Sequence, residues 1–417
     1  MRDLDVMSAI KGPHIVRRFA PLVMQWGVTA YSAAVSLGLS VLFARSMGST
    51  AFGHYTYIYV LASFLVLAQD AGFNTLLMRE RSAPSATLSA HWNQLPTVAL
   101  IHLCFTTLLF MVVAALLWDW LDAPSLLAAI FCFAAITLSQ WQSSWFKGAG
   151  FFARDAVFMF CGRSASALFV LVSVMTFGAS PRSIFLAWGA GLLLTLLCHH
   201  RYFPSFSRID YKLPGWAYCS SISFFAVGLA STLYHQIDIV ILRNLLGEVP
   251  AIGHYAVATR IHDGLLSLAT PVMLMLFRRM RVLALQPGVN NRFSRGSVGG
   301  ALVVGLVLAL MGWIFGPWMV GLLFGHSYAE GAQTIIRLLF IALIFALPNY
   351  VLEQTAIATH HERLFAVSLM LAVCINVALN LYLVPLIGVV GAAWATIITE
   401  ITLSVALIWG LRGKLFN

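Results

Sequence analysis

The chain has 417 residues, of which 60% are apolar or aromatic and only 10% are charged. Soluble globular proteins carry about 25% charged residues, so this composition excludes an ordinary water-soluble protein. A membrane-spanning helix takes about 20 residues, and the apolar residues suffice for about a dozen such helices. The net charge of +10 fits nucleic acid, an anionic membrane surface or an anionic substrate, and only its placement distinguishes them.

Apolar stretches separated by short polar segments predict an all-α, polytopic membrane protein without a soluble domain. The first stretch is too long for a cleavable signal peptide, so we expect it to remain as a span. Twelve spans are predicted, over residues 20–44, 54–78, 94–117, 125–146, 156–177, 183–200, 217–242, 254–277, 298–323, 332–357, 364–386 and 389–411.

The lysines and arginines are distributed unevenly between the two sets of loops. With a cytoplasmic N-terminus, 19 of the 25 lie in or beside cytoplasmic segments and 3 lie in outer loops. This bias predicts an even number of spans with both termini in the cytoplasm. Because topology explains most of the positive charge, nucleic acid is not an expected partner. The other three arginines lie within predicted spans, namely Arg163, Arg260 and Arg337.

An internal repeat joins two distant parts of the chain. The triplet Gly-His-Tyr occurs at residues 53–55 and again at 253–255, each time after an apolar span that ends in an arginine, Arg45 or Arg243. The matching positions within two six-span halves predict a duplicated chain with two lobes of the same orientation. The expected domains are an N-terminal lobe, a cytoplasmic linker and a C-terminal lobe, at residues 1–200, 201–216 and 217–417.

Four segments of the chain, at residues 45–55, 236–247, 323–339 and 387–400, carry a family pattern. Together they resemble the polysaccharide (O-antigen) flippases of the multidrug/oligosaccharidyl-lipid/polysaccharide exporter superfamily. One departure is Ser49, where relatives commonly place a proline, and it affects only a turn. The resemblance implies two six-helix lobes in the bacterial inner membrane, around a central cavity that opens to each side in turn.

The resemblance also implies a transporter and not an enzyme. Its cargo would be an undecaprenyl-diphosphate-linked oligosaccharide repeat unit for O-antigen, in lipopolysaccharide biosynthesis, or for another surface polysaccharide. Membrane lipids, a polymerase and a chain-length regulator of the same pathway are the other expected partners. A multidrug or cation antiporter on the same fold remains an alternative, as does an integral-membrane glycosyltransferase or polymerase. No phosphate-binding loop and no paired cysteines occur, so neither a cofactor nor a metal is expected.

Arg163 and Arg260 are the candidate contacts for the diphosphate, because guanidinium stays charged and presents a planar fork of donors to phosphate oxygens. Helix geometry places Arg260 about 10 Å from the outer surface and Arg163 about 12 Å from the inner one, so the two could serve opposite faces of the cycle. The alternative is that each pairs with a carboxylate, such as Asp238 or Asp263, and only holds helices together.

A cavity that carries an oligosaccharide must be lined with polar side chains, because unpaired polar groups in hydrocarbon are costly. Buried carboxylates and imidazoles in such a cavity are also candidates for proton coupling, and counting back from Arg79 places Asp70 near the bilayer middle. Hydrogen bonding between helices is the alternative role. The candidate residues for this cavity are Gln25, Asp70, Asn74, Gln140, Asp238, His262 and Asp263.

Overall fold

The computed structural model describes residues 14–82, 94–117, 122–203, 213–247, 250–283 and 287–415. Over these residues the chain forms α-helices, a short 3-10 turn at His200–Tyr202 and no strand, which confirms the all-α class. The helices are α1 (His14–Asp70), α2 (Phe73–Ser82), α3 (Leu95–Leu116), α4 (Ala123–Gly148), α5 (Phe152–Phe177), α6 (Pro181–Cys198), α7 (Leu213–Leu246), α8 (Pro250–Leu283), α9 (Pro287–Phe324), α10 (His326–Ala358), α11 (Glu362–Ile387) and α12 (Val389–Leu415).

Helix α1 contains the first two predicted spans, joined at a sharp reversal. Gly48 breaks the helix with φ +76°, a left-handed conformation that glycine adopts without the strain of a side chain. The two parts run side by side, as a contact across the reversal shows: the rings of Phe43 and Tyr55 pack with centroids 5.3 Å apart. We call this end of the bundle, predicted to face outward, the Gly48 end.

The second span is itself interrupted, at the opposite end of the bundle. Ala71 and Gly72 both have positive φ, at +48° and +82°, and α2 starts directly after them. The Asp70 carboxylate caps α2 by accepting the backbone N–H groups of Gly72 and Asn74, at 3.1 and 3.0 Å. We call this the Gly72 end.

Each of the twelve predicted spans coincides with a described helix or part of one. Ten segments are long and apolar enough to cross a membrane, and one of them, Met24–Asp70, is divided by Gly48 into two spans. Helix α8 is not among the ten, because Arg260, His262 and Asp263 lower its mean hydropathy. It is about 50 Å long and packs against α1 and α10 within the bundle. The protein is a multi-pass membrane protein.

The N-terminal half (α1–α6) and the C-terminal half (α7–α12) meet at both ends of the bundle. At the Gly48 end the two Gly-His-Tyr triplets face each other, and a Cβ on Gly53 would lie only 2.9 Å from the backbone nitrogen of Gly253. At the Gly72 end a Cβ on Gly72 would lie 2.9 Å from the backbone nitrogen of Phe225. Neither approach has room for a side chain. Residues 204–212 of the predicted linker lie outside the described residues, and the division into lobes stays a prediction.

Both repeat arginines reach across this boundary at the Gly48 end. Arg45 of the N-terminal half donates from Nε to the carbonyl oxygen of Leu323, at 2.7 Å, near the end of α9. Arg243 of the C-terminal half places its guanidinium over the ring of Tyr57, 5.5 Å from the ring centroid. The repeated segments therefore form the contact between the halves at this end.

Candidate functional site

A central cavity of about 390 Å³ lies between the two halves. Helices α1, α4, α5 and α6 line it on one side, and α7 and α8 line it on the other. Both candidate arginines, Arg163 on α5 and Arg260 on α8, face this one cavity. The described residues that line it include no aspartate or glutamate, so the cavity is positively charged.

Aromatic rings, rather than carboxylates, contact the two arginines. The guanidinium carbon of Arg260 lies 5.0 Å from the ring centroid of Tyr59, and that of Arg163 lies 5.7 Å from the ring centroid of Trp188. The two rings stack on each other with centroids 6.5 Å apart and planes 21° apart. We call Tyr59 and Trp188 the aromatic wall. Neither arginine forms an ion pair within the part of the chain that the structure describes.

Hydroxyl and amide groups surround the arginines in the cavity. Gln140 faces it from α4, as the sequence predicts. Its neighbour Ser139 is 7% exposed, and its Oγ has no hydrogen-bond partner among the described residues. Across the boundary, Ser63 of α1 donates to Oε1 of Gln236 of α7 at 2.6 Å. The cavity thus offers the hydrogen-bonding groups that a saccharide needs.

A second, smaller cavity of about 140 Å³ adjoins the first and holds Asp238, His262 and Asp263. The two cavities share Tyr59, Gln236 and Arg260 in their walls. The candidate residues of α7 and α8 therefore lie together beside Arg260. We refer to this cavity as the acidic cavity.

The Asp238 carboxylate is buried in the acidic cavity and is well supplied with donors. Its Oδ2 accepts the Tyr255 hydroxyl at 2.7 Å, and its Oδ1 accepts the Asn380 amide at 2.9 Å. Tyr255 belongs to the second Gly-His-Tyr triplet, so the repeat and the site are in direct contact.

His262 and Asp263 form a neighbouring pair on α8. Nδ1 of His262 lies 3.1 Å from Oδ1 of Asp263. The His262 ring is buried, and its Nε2 has no partner among the described residues. The Asp263 side chain, in contrast, is 55% exposed. Both side chains line the acidic cavity, and the carboxylate is the more exposed of the two.

Three candidates lie outside both cavities, near the Gly72 end, and join helices there. Gln25 donates to Oδ2 of Asp155 at 2.6 Å, and Oδ1 of Asn74 accepts the Ser144 hydroxyl at 2.5 Å. Asp70 also accepts the Trp141 indole N–H at 2.6 Å. About 33 Å of helix separates Asp70 from Gly48, and the depth of Asp70 in the membrane stays a prediction. A coupling role for these residues stays a prediction.

Sequence reasoning missed the aromatic wall. Aromatic residues are abundant in this chain and are commonly assigned to the membrane interface, so Tyr59 and Trp188 do not stand out. A helical spacing signal exists for one of them: Tyr55, Tyr59 and Ser63 follow an i, i+4, i+8 pattern, and all three line the central cavity. No comparable signal marks Trp188.

Comparison with known proteins identifies the fold. A family model described as polysaccharide biosynthesis protein matches residues 24–277. The chain is similar to a lipid II flippase MurJ in an inward closed conformation, with a TM-score of 0.77 and 14% identity over 94% of this chain and 87% of that one. It is also similar to an inward-facing multidrug resistance MATE family transporter of the MOP superfamily, with a TM-score of 0.65 and 12% identity over 96% and 97% of the two chains.

A further similar structure is a MOP superfamily transporter from Pyrococcus furiosus, with a TM-score of 0.59 and 14% identity over 96% of this chain and 95% of that one. At such identities the likeness shows the exporter fold alone, which the sequence resemblance predicts. Among curated proteins, none matches this chain.

Proposed function

Because the chain belongs to the polysaccharide biosynthesis protein family, we propose that it moves a diphosphate-linked lipid oligosaccharide across the membrane by alternating access between its two halves. The observation that carries this proposal is the pair Arg163 and Arg260 in one cavity whose described lining has no carboxylate. In a poorly polarisable environment, two such guanidinium groups attract an anion strongly and repel a cation.

The finer substrate is an undecaprenyl-diphosphate-linked repeat unit for O-antigen or another surface polysaccharide, in the bacterial inner membrane with both chain termini in the cytoplasm. Gln140 and the hydroxyls of the central cavity would bond the sugars while the arginines hold the diphosphate. A polymerase and a chain-length regulator would act on the product.

Proton coupling is assigned to the acidic cavity. Asp238, His262 and Asp263 are titratable groups that share a wall with Arg260, so a change in their charge would be felt at the anion site. The test is translocation measured with the proton gradient abolished at a fixed membrane potential. An unchanged rate would overturn the coupling and leave the translocation itself in place.

A multidrug cation antiporter is the main alternative, since transporters of that class share this fold. The positive charge of the central cavity disfavours a cationic drug at this position. We expect a deletion strain to keep its drug susceptibility and to accumulate lipid-linked oligosaccharide.

The central experiment uses proteoliposomes that contain a fluorescent isoprenyl-diphosphate disaccharide. A quencher added outside removes the fluorescence of the lipid in the outer leaflet, so the quenched fraction reports translocation. We expect Arg163→Ala and Arg260→Ala to slow translocation about tenfold or more, because a charge-assisted phosphate contact is lost. Arg337→Ala is the matched control, since Arg337 lies over Trp313 and lines neither cavity. Equal rates for all four proteins would overturn the proposal.

A further inference from the structure

We propose that Tyr59 and Trp188 are positioning residues that hold Arg260 and Arg163 in the cavity without forming an ion pair with either. The inference rests on the proposed function and deepens it, since it explains how the two arginines are held in position for an anionic ligand. Neither residue is predicted from the sequence as part of the site.

The contacts of these two arginines differ from those of Arg337, the third arginine within a predicted span. Arg337 also lies over an aromatic ring, that of Trp313 at 5.2 Å, but its Nε donates to the Trp313 carbonyl oxygen at 3.1 Å. For Arg163 and Arg260, no hydrogen bond and no ion pair is found among the residues that the structure describes. The ring faces of the aromatic wall are therefore their defining contacts.

An aromatic face solves a specific problem of an anion site inside a membrane. A partly buried guanidinium without any partner is costly, and a carboxylate partner would neutralise the charge that the cargo must meet. The negative face of a ring attracts the cation without carrying a net charge. It also leaves the N–H groups at the edge of the guanidinium plane free to donate to phosphate oxygens.

The wall links the two arginines to each other and to both halves of the protein. Tyr59 belongs to α1 of the N-terminal half, whereas Arg260 belongs to α8 of the C-terminal half. The ring of Tyr59 packs edge-on against Phe133, at 5.3 Å, as well as on Trp188. Phe133 lies on α4, so the Tyr59 ring packs within its own half. The same ring contacts Arg260 of the C-terminal half.

The experiment measures affinity for farnesyl diphosphate, with farnesol as the uncharged reference, by calorimetry on the full-length protein in nanodiscs. We expect Tyr59→Leu and Trp188→Leu to weaken farnesyl diphosphate binding by between about twofold and about thirtyfold, the range of a cation–π contact. Farnesol binding should not change. Tyr59→Phe and Trp188→Phe should restore the affinity, because each keeps a ring face.

Trp313→Leu is the matched control, since it removes the ring under Arg337 outside both cavities and should leave the affinity unchanged. If Tyr59→Leu does not yield folded protein, Tyr59→Met replaces it, because methionine fills the volume without a π face.

The outcomes separate the two proposals. If Arg163→Ala and Arg260→Ala weaken binding while the leucine variants bind as the wild type does, the positioning role is wrong and the proposed function stands. Failure of the phenylalanine variants to restore affinity also overturns the positioning role. If the alanine variants of both arginines bind farnesyl diphosphate like the wild type, the proposed function itself is wrong.

Discussion

At the scale of single residues, the charged side chains of the site differ in the groups that contact them. Arg163 and Arg260 contact ring faces and have no carboxylate partner among the described residues. Asp238, in contrast, accepts the Tyr255 hydroxyl and the Asn380 amide. The cations are left available to a ligand, whereas this anion is satisfied within the protein.

Replacing Asp238 tests how far its hydrogen bonds stabilise the C-terminal half. Asp238→Leu leaves the Tyr255 hydroxyl without its acceptor, and such a buried orphan costs about 1–3 kcal/mol, whereas the Asn380 amide still donates to Asn376. We expect a clear loss of thermal stability, read by differential scanning fluorimetry in detergent. Asp238→Asn keeps one acceptor oxygen and should lose less. A leucine variant as stable as the wild type would contradict this assignment.

Asp70 offers a test that separates helix capping from proton coupling. Asparagine keeps one acceptor oxygen for the Asn74 N–H and the Trp141 indole, so Asp70→Asn should keep transport and lose less stability than Asp70→Ala, which should cost about 1–2 kcal/mol. Thermal unfolding and the proteoliposome assay give the two readings. Transport that becomes independent of the proton gradient in Asp70→Asn would instead assign the coupling role to this carboxylate.

At the scale of elements, the break within the second span shows where pattern reading stops. Hydropathy predicts one continuous span over 54–78, yet the helix ends at Asp70 and starts again at Phe73. The residues Asp70-Ala71-Gly72 carry a capping and turn signal that an average over about 20 residues hides. The break matters because its backbone contacts α7 of the other half at Phe225.

The crossing of α1 and α8 depends on glycine at the repeat. A Cβ on Gly253 would overlap the carbonyl oxygen of Ser49, so Gly253→Ala must push the halves apart at the Gly48 end, at a cost of about 1–3 kcal/mol. We expect Gly253→Ala to lower the melting temperature. We also expect it to speed thiol labelling of a reporter cysteine introduced by Ile252→Cys, because Ile252 is buried beside the crossing in the wild type.

Gly38→Ala is the matched control for the crossing, because a Cβ at that position of α1 meets no atom within 4 Å. It should leave both the melting temperature and the labelling rate unchanged. Equal behaviour of the Gly38 and Gly253 variants would show that the crossing tolerates a side chain.

At the scale of the whole molecule, the halves contact each other at both ends and both line the central cavity. Gly53 approaches Gly253 at the Gly48 end, and Gly72 approaches Phe225 at the other. In the proposed cycle, release of the cargo to either side would require one of these contacts to separate. The site itself also divides between the halves, since Arg163 and Arg260 come from opposite ones.

The membrane potential should drive export of a diphosphate-linked cargo. Two negative charges that cross from a negative interior gain about 5 kcal/mol at 100 mV. We expect an imposed potassium diffusion potential to accelerate translocation in proteoliposomes in one direction and to slow it when reversed. A farnesol-linked saccharide without phosphate serves as the uncharged control. Equal rates at both polarities would contradict a charged cargo.

The sequence by itself determined the helical membrane fold and the chemistry of the cations. Backbone groups in hydrocarbon must bond within their own segment, so apolar stretches of this length become helices whatever their neighbours are. Charged groups are costly in such helices, and Arg163 and Arg260 were therefore visible as candidates without a structure.

Only the tertiary structure decided which groups share a cavity. Residue number places the two arginines at different depths, and helix packing brings them into one cavity beside Tyr59 and Trp188. Their use at opposite faces of the cycle stays a prediction. Helix packing likewise places Asp70 at a helix cap and Asp238 in a hydrogen-bonded cavity. The reason is physical: depth along a helix follows from residue number, but the direction of a side chain and its partners depends on how helices distant in sequence rotate and pack.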